Sequence, residues 1–412
     1  MPDLPLTPGE HRDLVSSLVG RLPAVTLTLD EAHGTVLAED LVAHLPVPPF
    51  TNSAMDGFAL RLADLAELPA TLTVVADIAA GDPAPHGIGA GQAARIMTGA
   101  RIPDGADTVV KVEETDHEPG VAEAPATVTV GQAPPRGANI RRRGEDVKPG
   151  ARILSAGRVL DGAALSAAAA TGHSEVRVHR RPRVGIVTTG AELAAPSGAL
   201  SRGQIPDSNA LLLSGLVSEA GAVVAARSRT NDDPTHLLAT LESWPEIDLL
   251  ITAGGISAGA YEVVRQALAG PDMRFHRVAQ QPGGPQGAGR VLIGGRAVPA
   301  LCLPGNPVSV FVSFHVHVAP LIATMAGRAA DAGHRTVRAG QAWDSPAGKT
   351  QFIPVSLDGQ TARPVHVFGS GSHLVASLPR ADGLGVVPPE VTRVDTGDAL
   401  DFIPTSPLVH RP

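Results

Sequence analysis

Between Arg183 and Ser309 the chain alternates two textures. Short unbroken apolar runs, "RVGIVTTG", "AVVAARSR", "DLLITAGG" and "AVPALCLPG", end in glycine or a polar turn. Between them lie "SNALLLSGLVSEAG", "PTHLLATLESW" and "YEVVRQALAG", whose apolar positions recur at helical spacing. The runs read as buried strands and the intervening segments as helices, with Ser208 placed to cap the first of these. Strand and helix in strict alternation predict a mostly parallel sheet covered on both faces.

The flanking regions differ. Residues 8–45 mix acidic and apolar positions and read as helix, and the alanine-rich "RVLDGAALSAAAATG" (158–172) reads as another, stopped by glycine. From 46 to 140, "TLTVVADI", "ADTVVKVEE" and "ATVTVGQ" show the β-branched alternation of strands. After 328, "QFIPVSL", "ARPVHVF" and "GLGVVPP" predict a small barrel. The expected fold class is α/β plus β in several domains. These are a discontinuous helical linker domain (1–45 and 141–178), a β-rich domain (46–140), a central α/β domain (179–327) and a C-terminal β-barrel (328–412). The most apolar stretch, "VSVFVSFHVHVAPLIATMAG", carries two histidines and a proline and is expected as a buried helix, not a membrane span.

Charge narrows the function classes. A net charge of −8 argues against a nucleic-acid partner. An anionic ligand would have to be held by local dipoles and a few placed cations. The single cysteine, Cys302, rules out an intrachain disulfide and fits a reducing cytoplasm. "MPDLPLTPGEHRDL" has acids and prolines where a signal peptide needs a basic flank and an apolar run.

Ligands of open α/β sheets bind outside the carboxyl ends of the strands. Three such ends are polar and glycine-rich: "TTGAEL" (Thr188–Leu193), "TAGGISAG" (Thr252–Gly259) and "LPGNPVS" (Leu303–Ser309). Glycine lets backbone amides approach a ligand. In the last, Asn306 is a natural N-cap and Pro307 a natural first helical residue, leaving free amides that favour an oxyanion. Each loop alone is equally a tight strand-to-helix turn; three together point to a site. Glu192, Asp207, Asp232, Asp233 and Glu262 lie near these loops. Carboxylates beside a phosphate site suggest Mg²⁺, with Glu192, Asp207 and Asp232 as candidate ligands. The competing reading makes Asp232 and Asp233 caps of the helix beginning at Pro234. His315 and His317 face different sides of a helix and read as core residues, and zinc spacing is absent. No full P-loop is present.

Seven motifs occur in order along almost the whole chain: "PPFTNSAMDGFA", "RIMTGARIPDGADTVVKVEE", "NIRRRGEDVKPG", "VGIVTTGAEL", "GQIPDSN", "TAGGISAG" and "LPGNPVSVFV". Together they resemble the molybdopterin molybdenumtransferase (MoeA) family, whose eukaryotic relatives include the carboxyl-terminal part of gephyrin. The resemblance implies joining of molybdate to the dithiolene of adenylylated molybdopterin, with release of AMP and a divalent cation assisting. It also implies a homodimer whose cleft lies between the α/β domain of one subunit and the β-rich domain of the other. Molybdopterin adenylyltransferase and acceptor molybdoenzymes are its implied partners. On this pattern Asp56, Thr98, Glu192, Gln281 and Ser309 are the catalytic candidates. Asp146, Thr188, Thr189, Gly190, Asp207, Ser208 and Asn209 are expected to bind substrate. So are Gly254, Gly255, Ser257, Gly259 and Glu262, and, around the helix start, Pro282, Pro304, Gly305, Asn306, Pro307 and Ser372.

One stretch departs from the family pattern. Where the family carries Lys-Pro-Gly-Lys-Pro, this chain has Gln281-Pro282-Gly283-Gly284-Pro285, so both lysines are missing. The family's "TGDEL" has become "TGAEL", and its "GDYD" has become Gly259-Ala260-Tyr261-Glu262. An arginine of the family is matched best by Lys349. Cations and acids lost together limit the cost of leaving a charge unpaired. The departures leave two further readings: an impaired paralogue that binds or stores the pterin, and a gephyrin-like scaffold.

Overall fold

The computed structural model describes residues 4–120, 123–196, 200–257, 262–330 and 333–405. Its central sheet has six strands, in the order Val223–Thr230, Arg183–Thr189, Leu249–Ala253, Arg296–Leu303, Pro285–Ile293, Met273–Arg277. The first four run parallel and the last two are antiparallel additions. The apolar runs read from sequence are these parallel strands. Leu249–Ala253 is buried at every position because helices cover both faces. Two apolar clusters result: one contains Ile186, Leu213, Ile251 and Phe314, the other Val187, Leu237, Leu250 and Val264.

Pro307–Met325 is a continuous helix of 19 residues with mean hydropathy 1.7, long and apolar enough to cross a membrane. Here 78% of its most apolar stretch is buried inside the molecule, mostly against the central sheet. Its middle, Phe314–Val318, widens into a π turn just before Pro320. Proline has no N–H to donate to the carbonyl one turn back, which accounts for the break in the regular ladder.

A second body is the five-stranded sheet Thr108–Lys111, Gly57–Leu60, Gln92–Ile96, Ala70–Ile78, Thr127–Val130. Phe58 and Leu60 pack on one side of it and Ala59 on the other, so the whole "GFAL" strand is buried. At the C-terminus, Thr350–Asp358, Thr361–Pro364, Arg335–Ala339, Ala399–Pro404 and Gly383–Val387 close into a five-stranded barrel. Gln280–Gln281 adds to its edge, parallel to Thr350–Gln351.

The helix expected over 8–45 is confined to Pro8–Ser16, started by a Thr7–Glu10 capping box. The rest of that segment is β: Ala24–Thr28 and Val36–Leu37 flank Glu175–His179, and Leu41–Val42 pairs with Arg152–Leu154. In the linker region the helix is Gly162–Ala170, capped by Asp161 through Ala164 N at 2.8 Å. The short N-terminal helix packs on the central body through His11 and Val15.

Candidate active site

Three strand ends lie side by side, with Thr188 opposite Ala253 and Ala253 opposite Leu303. Their turns touch. Gly254 has φ +98°, and a Cβ there would stand 2.7 Å from the Thr189 carbonyl oxygen. A Cβ on Gly305 would stand 3.5 Å from Gly254 Cα. Asn209 Nδ2 donates to the Gly305 carbonyl at 2.6 Å, tying the third turn to the helix after the first. At Gly254 only glycine gives the positive φ and the close approach to Thr189, while the Gly305 contact is an ordinary one. The three mouths therefore open into one cleft of about 920 Å³.

Most of the residues expected from sequence line it. The first mouth contributes Thr189, Gly190, Glu192, Ser208 and Asn209; the second contributes Gly254, Gly255, Ser257 and Glu262. Pro304, Gly305, Asn306, Pro307 and Ser309 come from the third, joined by Asp232, Gln281, Pro282 and the barrel-side Ser372. Thr188 and Asp207 lie beneath the surface instead. Asp207 is 4% exposed, and accepts from Thr188 Oγ1 at 2.6 Å and from Ala210 N at 3.1 Å. It thus caps the helix Asn209–Glu219, a task the sequence suggested for Ser208, which occupies the N-cap position without a side-chain cap bond. Asn306 likewise stands at an N-cap without capping. Its Nδ2 donates to Ser372 Oγ at 2.9 Å, joining the helix start to the barrel. Gly259 falls outside the described residues.

The neutral loop is held from behind. Gln280 is buried, its Nε2 donating to the carbonyls of Pro282 (3.2 Å) and Gly283 (3.1 Å). Gln286 Nε2 donates to the Gly283 carbonyl at 2.8 Å and to Ser313 Oγ at 2.7 Å. Gln280 Oε1 lies 2.8 Å from His317 Nε2, where an imidazole N–H can donate to it. His317 stacks edge-on against His11, whose Nδ1 is 2.9 Å from His276 Nε2. The sequence marks His317 as a core residue but carries no signal for this cluster, because His11 and His276 are 265 residues apart.

Charges around the cleft are few. Its acids are Glu192, Asp232 and Glu262; its cations, among the described residues, are Arg277 and Lys349. Glu262 Oε2 accepts from Ser257 N at 2.6 Å, folding one mouth onto its following helix. A Cβ on Gly190 would lie 2.6 Å from Glu192 Oε2, and Asp232 Oδ2 accepts from Ala191 N at 3.4 Å. Both carboxylates thus gather at the first turn. Mg²⁺ commonly takes one or two carboxylates and completes its shell with phosphate oxygens and water. Glu192 and Asp232 fit that demand. Asp207, buried and already committed as a cap, does not, and no group of three His, Cys, Asp or Glu suited to a metal occurs among the described residues. Asp233 accepts from Thr235 N at 2.9 Å and caps the helix at Pro234.

Asp56 and Thr98 lie on the five-stranded body, away from the lining of this cleft. Thr98 donates to Asp56 Oδ1 from both its backbone N (2.6 Å) and its hydroxyl (2.7 Å). Those bonds, the backbone one foremost, hold the Asp56 carboxyl below the usual carboxylate range. Asp146 is exposed and also outside the lining.

Comparison with known proteins agrees with this architecture over nearly its full length. Residues 6–172 match the MoeA N-terminal region (domain I and II), 185–324 a probable molybdopterin binding domain, and 336–405 the MoeA C-terminal region (domain IV). Molybdopterin molybdenumtransferase 2 of Mycobacterium tuberculosis (strain ATCC 25618 / H37Rv) is 40% identical over 404 residues, covering 95% of this chain and 97% of its own. Molybdopterin molybdenumtransferase 1 of the same strain is 32% identical over 415 residues, covering 92% and 93%. The crystal structure of a molybdopterin biosynthesis moeA protein from Pyrococcus horikoshii OT3 superposes with a TM-score of 0.74 at 27% identity, over 97% of this chain and 99% of that one. The chain belongs to the molybdopterin molybdenumtransferase (MoeA) family.

Proposed function

We propose that this protein inserts molybdate into adenylylated molybdopterin, releasing AMP and forming molybdenum cofactor. The observation that carries the reading is the convergence of three glycine-rich strand ends on one cleft. The Gly254 and Val308 amides are given to the Leu303 and Ser372 carbonyls, so the Gly255 and Ser309 backbone amides are the ones that attract the phosphate oxygens without net charge. Asn209 and Asn306 fix the third turn, so the donors are preorganised before substrate enters. Gln281 and Ser309 offer an amide and a hydroxyl toward molybdate oxygens. Glu192 and Asp232 would hold a divalent cation such as Mg²⁺, which supplies charge neutralisation on the adenylyl phosphate. No covalent nucleophile is invoked.

Asp56 and Thr98 serve this reaction only if a second copy of the chain brings its five-stranded body to the cleft. We therefore infer a homodimer with composite sites. An adenylyltransferase upstream and molybdoenzyme acceptors downstream complete the sequence, in the cytoplasm.

The test uses purified protein, adenylylated molybdopterin, molybdate and Mg²⁺. AMP release coupled to cofactor formation supports the reading; retention of AMP at saturating molybdate overturns it in favour of a storage role. Mixing Asp56→Ala with Glu192→Ala subunits tests the composite site. Two inactive variants that regain up to about a quarter of activity share sites across a dimer; no recovery from exchanged subunits rejects the arrangement.

A further inference from the structure

We infer that Arg277 is the specificity-determining cation for molybdate, working with Lys349 across the neutral Gln281–Gly284 loop. This rests on the function proposed above and assigns a residue that the sequence pattern did not mark. Arg277 ends the edge strand Met273–Arg277, opposite Pro285 in register. Lys349 precedes Thr350, whose N donates to the Ala279 carbonyl at 2.9 Å and which pairs with Gln280. One cation therefore arrives on each side of the same short loop, Arg277 from the α/β sheet and Lys349 from the barrel.

The arginine reaches the loop itself. A Cβ on Gly284 would stand 3.9 Å from Arg277 Nη2, in ordinary van der Waals contact, so the guanidinium lies beside this stretch of backbone. Among the described residues neither Arg277 nor Lys349 has a side-chain hydrogen bond or ion pair, although Glu192, Asp232 and Glu262 line the same cleft. Two uncommitted cations flanking a loop with no charge of its own are suited to a small dianion. The planar guanidinium can give two parallel N–H bonds to a tetrahedral oxyanion, which a lysine ammonium cannot.

The same chemistry suits molybdate and the phosphate of the adenylyl group, so the experiment separates them. Inorganic molybdate, with tungstate as a second probe, is titrated into wild type, Arg277→Ala and Arg277→Lys by calorimetry. Adenylylated molybdopterin is titrated separately, and molybdate KM is measured from AMP release. Arg296→Ala, which removes a surface partner of Glu246, controls for net charge. The expected result is a loss of molybdate affinity and a rise in its KM of about tenfold or more in Arg277→Ala. Arg277→Lys should recover part of this, and pterin affinity and Arg296→Ala should be unchanged. Unchanged molybdate binding in Arg277→Ala overturns the assignment; so does weakened pterin binding with molybdate binding intact. Calorimetry reads molybdate binding without turnover, so failure of the Arg277 assignment is distinguishable from failure of the overall function, which shows as AMP retention in wild type.

Discussion

Acidification should weaken this fold through its buried imidazoles, and His11 gives the scale. It is fully buried, and burial, with His276 beside it, pushes its pKa down from 6.5 to about 3. His317, also fully buried, is pushed in the same direction by burial and by the neighbouring histidines. Only one proton can serve the 2.9 Å bond between His11 Nδ1 and His276 Nε2, so charging both rings sets two N–H groups against each other. In the unfolded chain a histidine titrates near 6.5. Stability from the neutral buried ring is complete above that value and is lost as pH falls from 6.5 toward about 3, where the folded ring finally takes its proton. Between pH 7.5 and 5.0 His11 alone accounts for a loss of about 2 kcal/mol, and His317 adds to it. Urea unfolding followed by Trp244 fluorescence at several pH values measures the loss. His11→Asn places an amide near the position of Nδ1, keeps a partner for His276 and cannot be protonated. Its loss between pH 7.5 and 5.0 should be smaller than wild type by about 2 kcal/mol. An identical pH dependence in the two proteins, or a flat one in wild type, refutes the reasoning.

Other outcomes follow from single positions. Asp248 is buried, accepts from both Arg180 terminal nitrogens at 2.6 Å and from Arg183 N at 2.8 Å, so Asp248→Ala should cost about 3 kcal/mol or more in urea unfolding. Cys302 is fully buried and its thiol is pushed up to about 12, so a thiol reagent at pH 8 should leave it unmodified until denaturant is added. A Cβ on Gly185 would run into the Trp244 ring, so Gly185→Ala should destabilise by about 1–3 kcal/mol and shift Trp244 emission. Gly254→Ala, forced to φ +98° and against Thr189, should lose adenylylated pterin affinity by about tenfold or more in a fluorescence titration, with the circular dichroism spectrum kept.

The central sheet was legible because its inner parallel strands, Arg183–Thr189, Leu249–Ala253 and Arg296–Leu303, are largely buried and written as mainly apolar runs, while the edge strand Val223–Thr230 is partly exposed. The three mouths were legible because close packing of turns demands glycine, and glycine clusters are visible in sequence. The segment after Ser16 misled because its leucines, alanines and acids are good helix formers. Its strand Ala24–Thr28 pairs with Glu175–His179, about 150 residues away, where local pattern cannot reach. The same limit hid Arg277: what brings it together with Lys349 is the register of Gln280 on Thr350. That register also explains how a cleft for anions can have an uncharged wall. Gln280 and Gln286 spend their amides on the carbonyls of Pro282 and Gly283 and on Ser313, and His317 sits neutral behind them. A cation anchored in that buried layer would have to be desolvated among neutral amides and an imidazole already bonded to Gln280, at a cost of several kcal/mol. Arg277 and Lys349 enter from the flanks, where water still reaches the cleft. The loop's shape then comes from buried neutral amides and its charge from side chains that need not be buried at all.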